Sequence, residues 1–139
     1  MVELMITMAL ISVIAGIASS YCLYAFDVSR VSRTVANMRG VADAVLKYQT
    51  DNTVLPAGGL QAVSGIAAAI RNSGGIIALT DGWGNPIYYQ PFTTAQGVKT
   101  FRITSYGSDG AADGVVTGHW ADFTTDIVDE GGSFIQTKW

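Results

Sequence analysis

An uncharged stretch near the start of the chain most limits what this protein can fold into. Residues 4–26 carry no formal charge, and Glu3 is the only charged residue before Asp27. As a helix the stretch spans about 34 Å, enough to cross the hydrocarbon core of a bilayer. The chain has 139 residues and is 49% hydrophobic. Without the stretch, about 110 residues of ordinary globular composition remain, enough for one small core.

Three interpretations of this stretch compete: a cleaved signal peptide, a simple membrane anchor, and a helix that serves first the membrane and then assembly. A signal peptide begins with positive charge, which this chain lacks. A simple anchor leaves Glu3 unexplained, because a carboxylate at the edge of an apolar span is costly unless it is paired or reaches the interface. The first basic residues, Arg30 and Arg33, follow the span. The positive-inside rule therefore places the globular part in the cytoplasm, unless a basic leader preceding Met1 has been removed.

Helical periodicity continues beyond the uncharged stretch. Apolar side chains recur at three- and four-residue spacing at Val28, Val31, Val35, Met38, Ala42 and Val45. No proline occurs before Pro56. The pattern predicts one helix over residues 1–50, about 75 Å long, with Gly16 as its weak point. Residues 1–26 form its apolar part, and residues 27–139 form a globular domain that includes its amphipathic part.

The remaining sequence predicts a small antiparallel sheet. Residues 55–59 break the first helix, residues 60–70 fit a short apolar helix, and residues 71–75 and 81–86 are rich in turn formers. Strands are expected at 87–90, 99–106 and 133–136, with residues 93–97 as a hairpin loop between the first two. The predicted fold class is α+β, with a long N-terminal helix packed on the sheet.

The charged residues exclude some functions and leave one site open. The basic residues form no dense patch, so a nucleic-acid partner is not expected. Between Asp109 and Glu130, six acidic residues occur without a Lys or Arg. Such a run is either a calcium-binding loop or a solvated acidic surface. An EF-hand is excluded, because Ala111 and Trp120 occupy positions that require ligands.

The sequence does not predict an enzyme. His119 is the only histidine, and no G-x-S-x-G nucleophile motif is present. Zinc is not expected either, because the single cysteine, Cys22, lies inside the apolar stretch.

Three segments carry a resemblance to a known family. Residues 2–18 resemble the N-terminus of mature type IV pilins and pseudopilins. Residues 81–86 (DGWGNP) with Tyr88-Tyr89 are similar to the D-x-W-G-N-P segment of type II secretion major pseudopilins. Residues 105–110 (SYGSDG) are similar to the S-x-G-x-D-G segment that follows the second strand in the same proteins.

The resemblance implies roles for the two ends of the molecule. A basic leader would be removed at the cytoplasmic face, and Glu3 would neutralise the N-terminal amine of a neighbouring subunit. Many relatives have a proline within this helix. This chain has none, so local melting of the helix would centre on Gly16. Calcium would be held by Asp109 and Asp122 and by the backbone carbonyl of Tyr106. The spacing departs from the family pattern, which leaves Asp113 and Asp126 as substitutes.

The function implied is structural. Subunits would wait in the bacterial inner membrane with a periplasmic domain, and then polymerise through the N-terminal helix into the pseudopilus of a type II secretion system. Minor pseudopilins and the assembly machinery would be partners, and the filament would be periplasmic or extracellular. The alternatives are the major pilin of a surface type IV pilus and a membrane-tethered calcium-binding module that never polymerises.

Overall fold

The fold is that of a computed structural model, which describes residues 2–72, 77–114 and 123–136, apart from the side chains of residues 18–20 and 136. Seven elements follow one another: α1 (Val2–Asn52), β1 (Gln61–Ala62), α2 (Val63–Arg71), β2 (Tyr88–Thr93), β3 (Lys99–Ser105), β4 (Ile127–Glu130) and β5 (Ser133–Gln136). The strands form one antiparallel sheet in the order of the chain. The predicted α+β architecture is confirmed.

Helix α1 has two parts with different surroundings. Large apolar side chains between Val2 and Phe26 are exposed, because the described part of the domain packs mainly against the helix from Val31 onward. From Val31 onward one face of the same helix enters the core. The helix continues without interruption through Gly16, and a Cβ at that position would meet no other atom within 4 Å. It ends at Asn52, followed by Thr53 in the left-handed region at φ 60°.

The core lies between the second part of α1, the short helix α2 and one face of the sheet. Residues at helical spacing on α1 contact alternate residues of the strands, as expected for a helix packed on a sheet. The largest fully buried side chains are Tyr89, Phe101, Met38, Ile70, Ile87, Ile103 and Ile127. The Tyr89 hydroxyl donates a hydrogen bond to the Pro56 carbonyl at 3.2 Å, which attaches the segment after α1 to the sheet.

The sheet contains two strands that the sequence did not predict, β1 at one edge and β4 between β3 and β5. Strand β1 has only two residues, too few for an alternating pattern to be visible in the sequence. Strand β4 occupies residues that we interpreted as part of an acidic loop. It pairs with β3 through Ile103 opposite Asp129 and Ser105 opposite Ile127. Its burial explains the difference, because Ile127, Val128 and Asp129 are all inaccessible or nearly so.

Candidate functional site

The turn at residues 81–86 is built around a buried carboxylate. Asp81 is 2% exposed. Its Oδ1 accepts the backbone N–H groups of Trp83 at 2.9 Å and Asn85 at 2.8 Å, and its Oδ2 accepts the Ser105 hydroxyl at 2.8 Å. Every oxygen of this carboxylate therefore has a donor, as buried carboxylates require.

The same turn rests directly on α1. The Gly82 N–H donates to Thr34 Oγ1 at 2.8 Å, and that hydroxyl donates to the Arg30 carbonyl at 2.9 Å. A Cβ at Gly82 would overlap the Arg30 carbonyl oxygen. One turn further along the helix, the Asn37 amide donates to the Thr80 carbonyl at 2.9 Å. Glycine at position 82 thus allows the turn to approach the backbone of the helix.

A second contact joins this turn to the start of the acidic loop. The Asn85 side chain donates to the Gly107 carbonyl at 2.8 Å. Gly107 has a φ of 64°, and a Cβ there would overlap the Thr124 carbonyl oxygen. The Ser108 N–H donates to the Phe123 carbonyl at 2.9 Å. The loop therefore leaves β3 beside the segment that leads into β4.

Asp126 is the buried acidic residue of this loop region. It is 2% exposed, and its Oδ2 accepts the N–H groups of Asp113 and Gly114, each at 3.1 Å. Its Oδ1 is buried and has no hydrogen-bond partner within the described part of the chain. Burial raises the pKa of the Asp126 carboxyl; the two N–H groups oppose this, and the nearby charges of Asp113 and Asp109 add to it.

The other predicted calcium ligands differ from Asp126 in their solvent exposure. Asp109 and Asp113 are exposed, and Asp109 Oδ1 accepts the Ala111 N–H at 3.1 Å. The Tyr106 ring stacks on Tyr88 with centroids 4.5 Å apart, which holds the residue whose carbonyl is a predicted ligand. Asp122, the second predicted ligand, lies outside the described residues, as does His119. Over residues 2–72, 77–114 and 123–136, no three acidic, histidine or cysteine side chains gather as a metal cluster would.

A third buried aspartate, Asp129, was not recognised as special in the sequence. Asp129 is fully buried on β4, and its Oδ1 accepts the Gly132 N–H at 2.9 Å. Its Oδ2 has no partner among the residues described. Burial raises its pKa, against the Gly132 hydrogen bond and the charge of Arg39. The Arg39 guanidinium lies 5.4 Å from the centroid of the Phe134 ring. Only the strand register reveals this position, because the sequence alone does not show which acidic residues face the helix.

The first part of α1 offers a different kind of surface. Apolar residues surround it on all sides, and Glu3, in the first turn of the helix, is the one charged residue among them before Asp27. By length and composition α1 is able to cross a membrane. A helix that is apolar all round is stable only in a lipid or protein environment, so this surface requires a partner.

Comparison with known proteins identifies one family. The model of the family described as type II secretion system (T2SS), protein G matches residues 22–124. This range contains both the Asp81 turn and the start of the acidic loop, and the match confirms the resemblance drawn from those motifs. The match does not include Glu3 or Gly16, whose roles remain predictions. No curated protein and no solved structure matches the chain significantly.

Proposed function

Since this chain belongs to the type II secretion system protein G family, we propose that it is a structural subunit that polymerises into the pseudopilus of a type II secretion system. That family consists of structural pseudopilins and not of enzymes. The proposal also includes minor pseudopilins and an assembly machinery as partners.

The observation that carries the proposal is the exposure of the first part of α1. Leu10, Val13 and Ile14 are each about 60% exposed or more, although they belong to the helix whose second part forms the core. Each exposed leucine or isoleucine that becomes buried gains about 1.5–3 kcal/mol. A bundle of such helices from many subunits would bury this surface as completely as a bilayer does.

Glu3 would determine the axial offset between neighbouring helices in the filament. A carboxylate within an apolar bundle is strongly destabilising unless a positive group pairs with it. The N-terminal amine of a neighbouring mature subunit is such a group, and pairing would fix the axial offset between adjacent helices. Before assembly the subunit would lie in the inner membrane with its globular domain in the periplasm.

Filament formation is tested by Glu3→Ala in cells that overproduce the secretion system. Electron microscopy of sheared surface material should show filaments for the wild type and none for the variant, at equal amounts of membrane-inserted protein. Asp51→Ala is the matched control, because Asp51 is an exposed acidic residue at the other end of α1, and it should leave filaments intact.

Wild-type protein that stays monomeric in membranes under these conditions would instead favour a tethered module that never polymerises. Filaments that extend as adhesive or motile surface fibres in a strain without the secretion system would favour a type IV pilus.

We further propose that the loop after β3 binds calcium. The support is Asp126, whose buried Oδ1 has no donor among the described residues while two N–H groups hold its Oδ2 in place. A hard oxygen donor fixed in this way suits a calcium ion, which takes six to eight oxygen ligands. Asp109, Asp113, Asp122 and the Tyr106 carbonyl would supply further oxygens, and the ion would neutralise several carboxylates.

The calcium proposal is tested by titrating the purified globular domain, residues 27–139, with calcium in a calorimeter. A single site with saturable heat is expected, and magnesium should bind far more weakly because it demands smaller octahedral geometry. The midpoint of thermal unfolding should also fall when a chelator is added. An unchanged midpoint together with no heat of binding would contradict the calcium proposal, and it would not affect the filament proposal.

A further inference from the structure

An aromatic contact joins the globular domain to α1 at the end of the uncharged stretch. The rings of Tyr24 and Phe123 lie with centroids 5.7 Å apart at an angle of 58°. Phe123 also packs against the core of the domain. Tyr24 precedes Val31, the first fully buried residue of α1, by about two helical turns. The domain therefore contacts α1 within the uncharged stretch, on the N-terminal side of the buried face of the helix.

The position of Tyr24 along the helix determines what surrounds this contact. The uncharged stretch is about 34 Å long and the hydrocarbon core is about 30 Å thick. When the stretch spans a bilayer, residues 24–26 consequently lie at the boundary between hydrocarbon and headgroups. Each headgroup layer is roughly 5–7 Å thick, which is similar to the separation of the two rings. Phe123, as the ring neighbour of Tyr24, is then close to the same boundary.

The side chains around the contact fit an interfacial environment. Tyr21, Tyr24 and Phe26 are exposed within two turns of the helix, and aromatic residues are the ones that concentrate at the membrane–water interface. The next charges, Asp27 and Arg30, pair with each other at 3.3 Å. Pairing lowers the cost of placing them near the bilayer, and the exposed Arg33 that follows can meet lipid phosphates.

We propose that Tyr24 and Phe123 dock the globular domain onto the headgroup layer of the bilayer that α1 crosses. The partner is the phospholipid surface itself, and the docking site comprises these two rings with the aromatic residues beside Tyr24. The Ser108 N–H donates to the Phe123 carbonyl, so position 108 lies beside the proposed docking site. The inference rests on the membrane-inserted stage of the proposed function and adds an orientation of the domain to it.

Spin labels on the full chain test this docking. The protein is reconstituted in nanodiscs of phosphatidylcholine and phosphatidylglycerol, with Cys22→Ser to remove the native thiol. Single labels are placed through Ile14→Cys in the stretch, Ser108→Cys beside Phe123 and Ala95→Cys in the β2–β3 hairpin. Collisions with oxygen, which enters the bilayer, are compared with collisions with a water-soluble nickel chelate. The hairpin is the matched control, because its strands line the same groove as residues 53–58, beyond the end of α1 and about 40 Å from Tyr24.

The label at 108 should show accessibility between the buried value at 14 and the aqueous value at 95. Tyr24→Ala should reduce the docked fraction about fivefold, as expected for the loss of one aromatic contact, whereas Tyr24→Phe should retain it. Aqueous accessibility at 108 together with a buried label at 14 would overturn the docking alone. Aqueous accessibility at 14 would overturn the membrane-inserted stage, and the docking with it. Unchanged accessibility in Tyr24→Ala would also overturn the assignment to these two rings.

Discussion

Two buried aspartates, Asp81 and Asp126, hold their surroundings by the same means and differ at one oxygen. Each is 2% exposed, and each accepts two backbone N–H groups on one carboxylate oxygen. The second oxygen of Asp81 accepts the Ser105 hydroxyl. The second oxygen of Asp126 has no donor among the described residues.

Asp81 therefore has all of its hydrogen bonds within the domain, whereas Asp126 has one oxygen still to be paired within the described part of the chain. A buried carboxylate with donors on both oxygens stabilises its turn by itself. A buried carboxylate with one oxygen unpaired carries a desolvation penalty that a bound cation removes. The Asp81 turn should therefore be indifferent to calcium, whereas the region around Asp126 should depend on it.

Gly82→Ala should produce the largest effect on stability, because it disrupts the contact between the Asp81 turn and α1. The new Cβ would overlap the Arg30 carbonyl, whose backbone atoms cannot rotate away as a flexible side chain could. We expect a loss of about 3 kcal/mol in the free energy of unfolding, equally with calcium and with chelator. Chemical denaturation followed by circular dichroism measures it. Gly59→Ala is the control, since a Cβ there meets nothing within 4 Å, and a loss of similar size in both variants would contradict the steric explanation.

Asp126→Asn should remove the calcium-dependent part of the stability. At free calcium about 100 times the dissociation constant, the wild type gains about 2.7 kcal/mol, and the variant should lose that gain. In chelator the variant should be at least as stable as the wild type, because it no longer buries an unneutralised carboxylate. Thermal unfolding of both proteins in both conditions measures the difference. Asp129→Asn is the matched control, because it replaces a buried aspartate outside the loop, and it should keep the full calcium response.

Ser105→Ala should leave one oxygen of the Asp81 carboxylate without a donor in the part of the chain that the structure describes, as in Asp126. It removes the only side-chain donor that Asp81 Oδ2 has within the described residues. We expect a loss of about 2 kcal/mol, the penalty for an unsatisfied buried acceptor. Ser133→Ala, at an exposed position on β5, should change stability by less than about 0.5 kcal/mol. A Ser105→Ala protein as stable as the wild type would show that Asp81 does not need its second donor.

The smallest effect concerns pH and Asp129. Burial raises the pKa of this carboxyl in the folded state, so the folded chain binds the proton more tightly than the unfolded chain. The stabilisation is fully present below the unfolded pKa of about 4 and is lost as the pH rises through the raised folded pKa. Relative to Asp129→Asn, the wild type should gain stability as the pH falls from about 7 to about 4, and we expect this gain to be the smallest of the four effects. Urea denaturation across this range measures the gain, and a constant difference between the two proteins would contradict it.

The helices and three of the five strands, β2, β3 and β5, could be predicted because their signals are local. Apolar spacing on α1 and alternation on β3 depend only on neighbouring residues. The turn at 81–86 was predicted as a turn from its glycines and proline, yet its attachment to Thr34 and Ser105 depends on residues distant in the chain. Strand β4 was missed because Asp126, Asp129 and Glu130 look like solvated residues. In the structure the first two are buried, and Glu130 pairs with Arg102 across the sheet.

The candidate site was predicted only in part, for a related reason. The sequence identifies a run of acidic residues but not which of them become buried. Asp113 was grouped with Asp126 as a substitute ligand, yet Asp113 is exposed and contributes its N–H to Asp126. Burial of Asp126 follows from the pairing of β3 with β4, which periodicity within either strand does not show.

The continuity of α1 has a mechanical consequence. The exposed, uncharged part of α1 and the part that packs in the core belong to one continuous helix, without a proline between Val2 and Asn52. A pull on the exposed part is transmitted as shear to the contacts of Val31, Met38 and Val45 with the sheet, since no linker can extend first. The core of the domain therefore sets the force that the subunit withstands when it is pulled by the exposed part of α1.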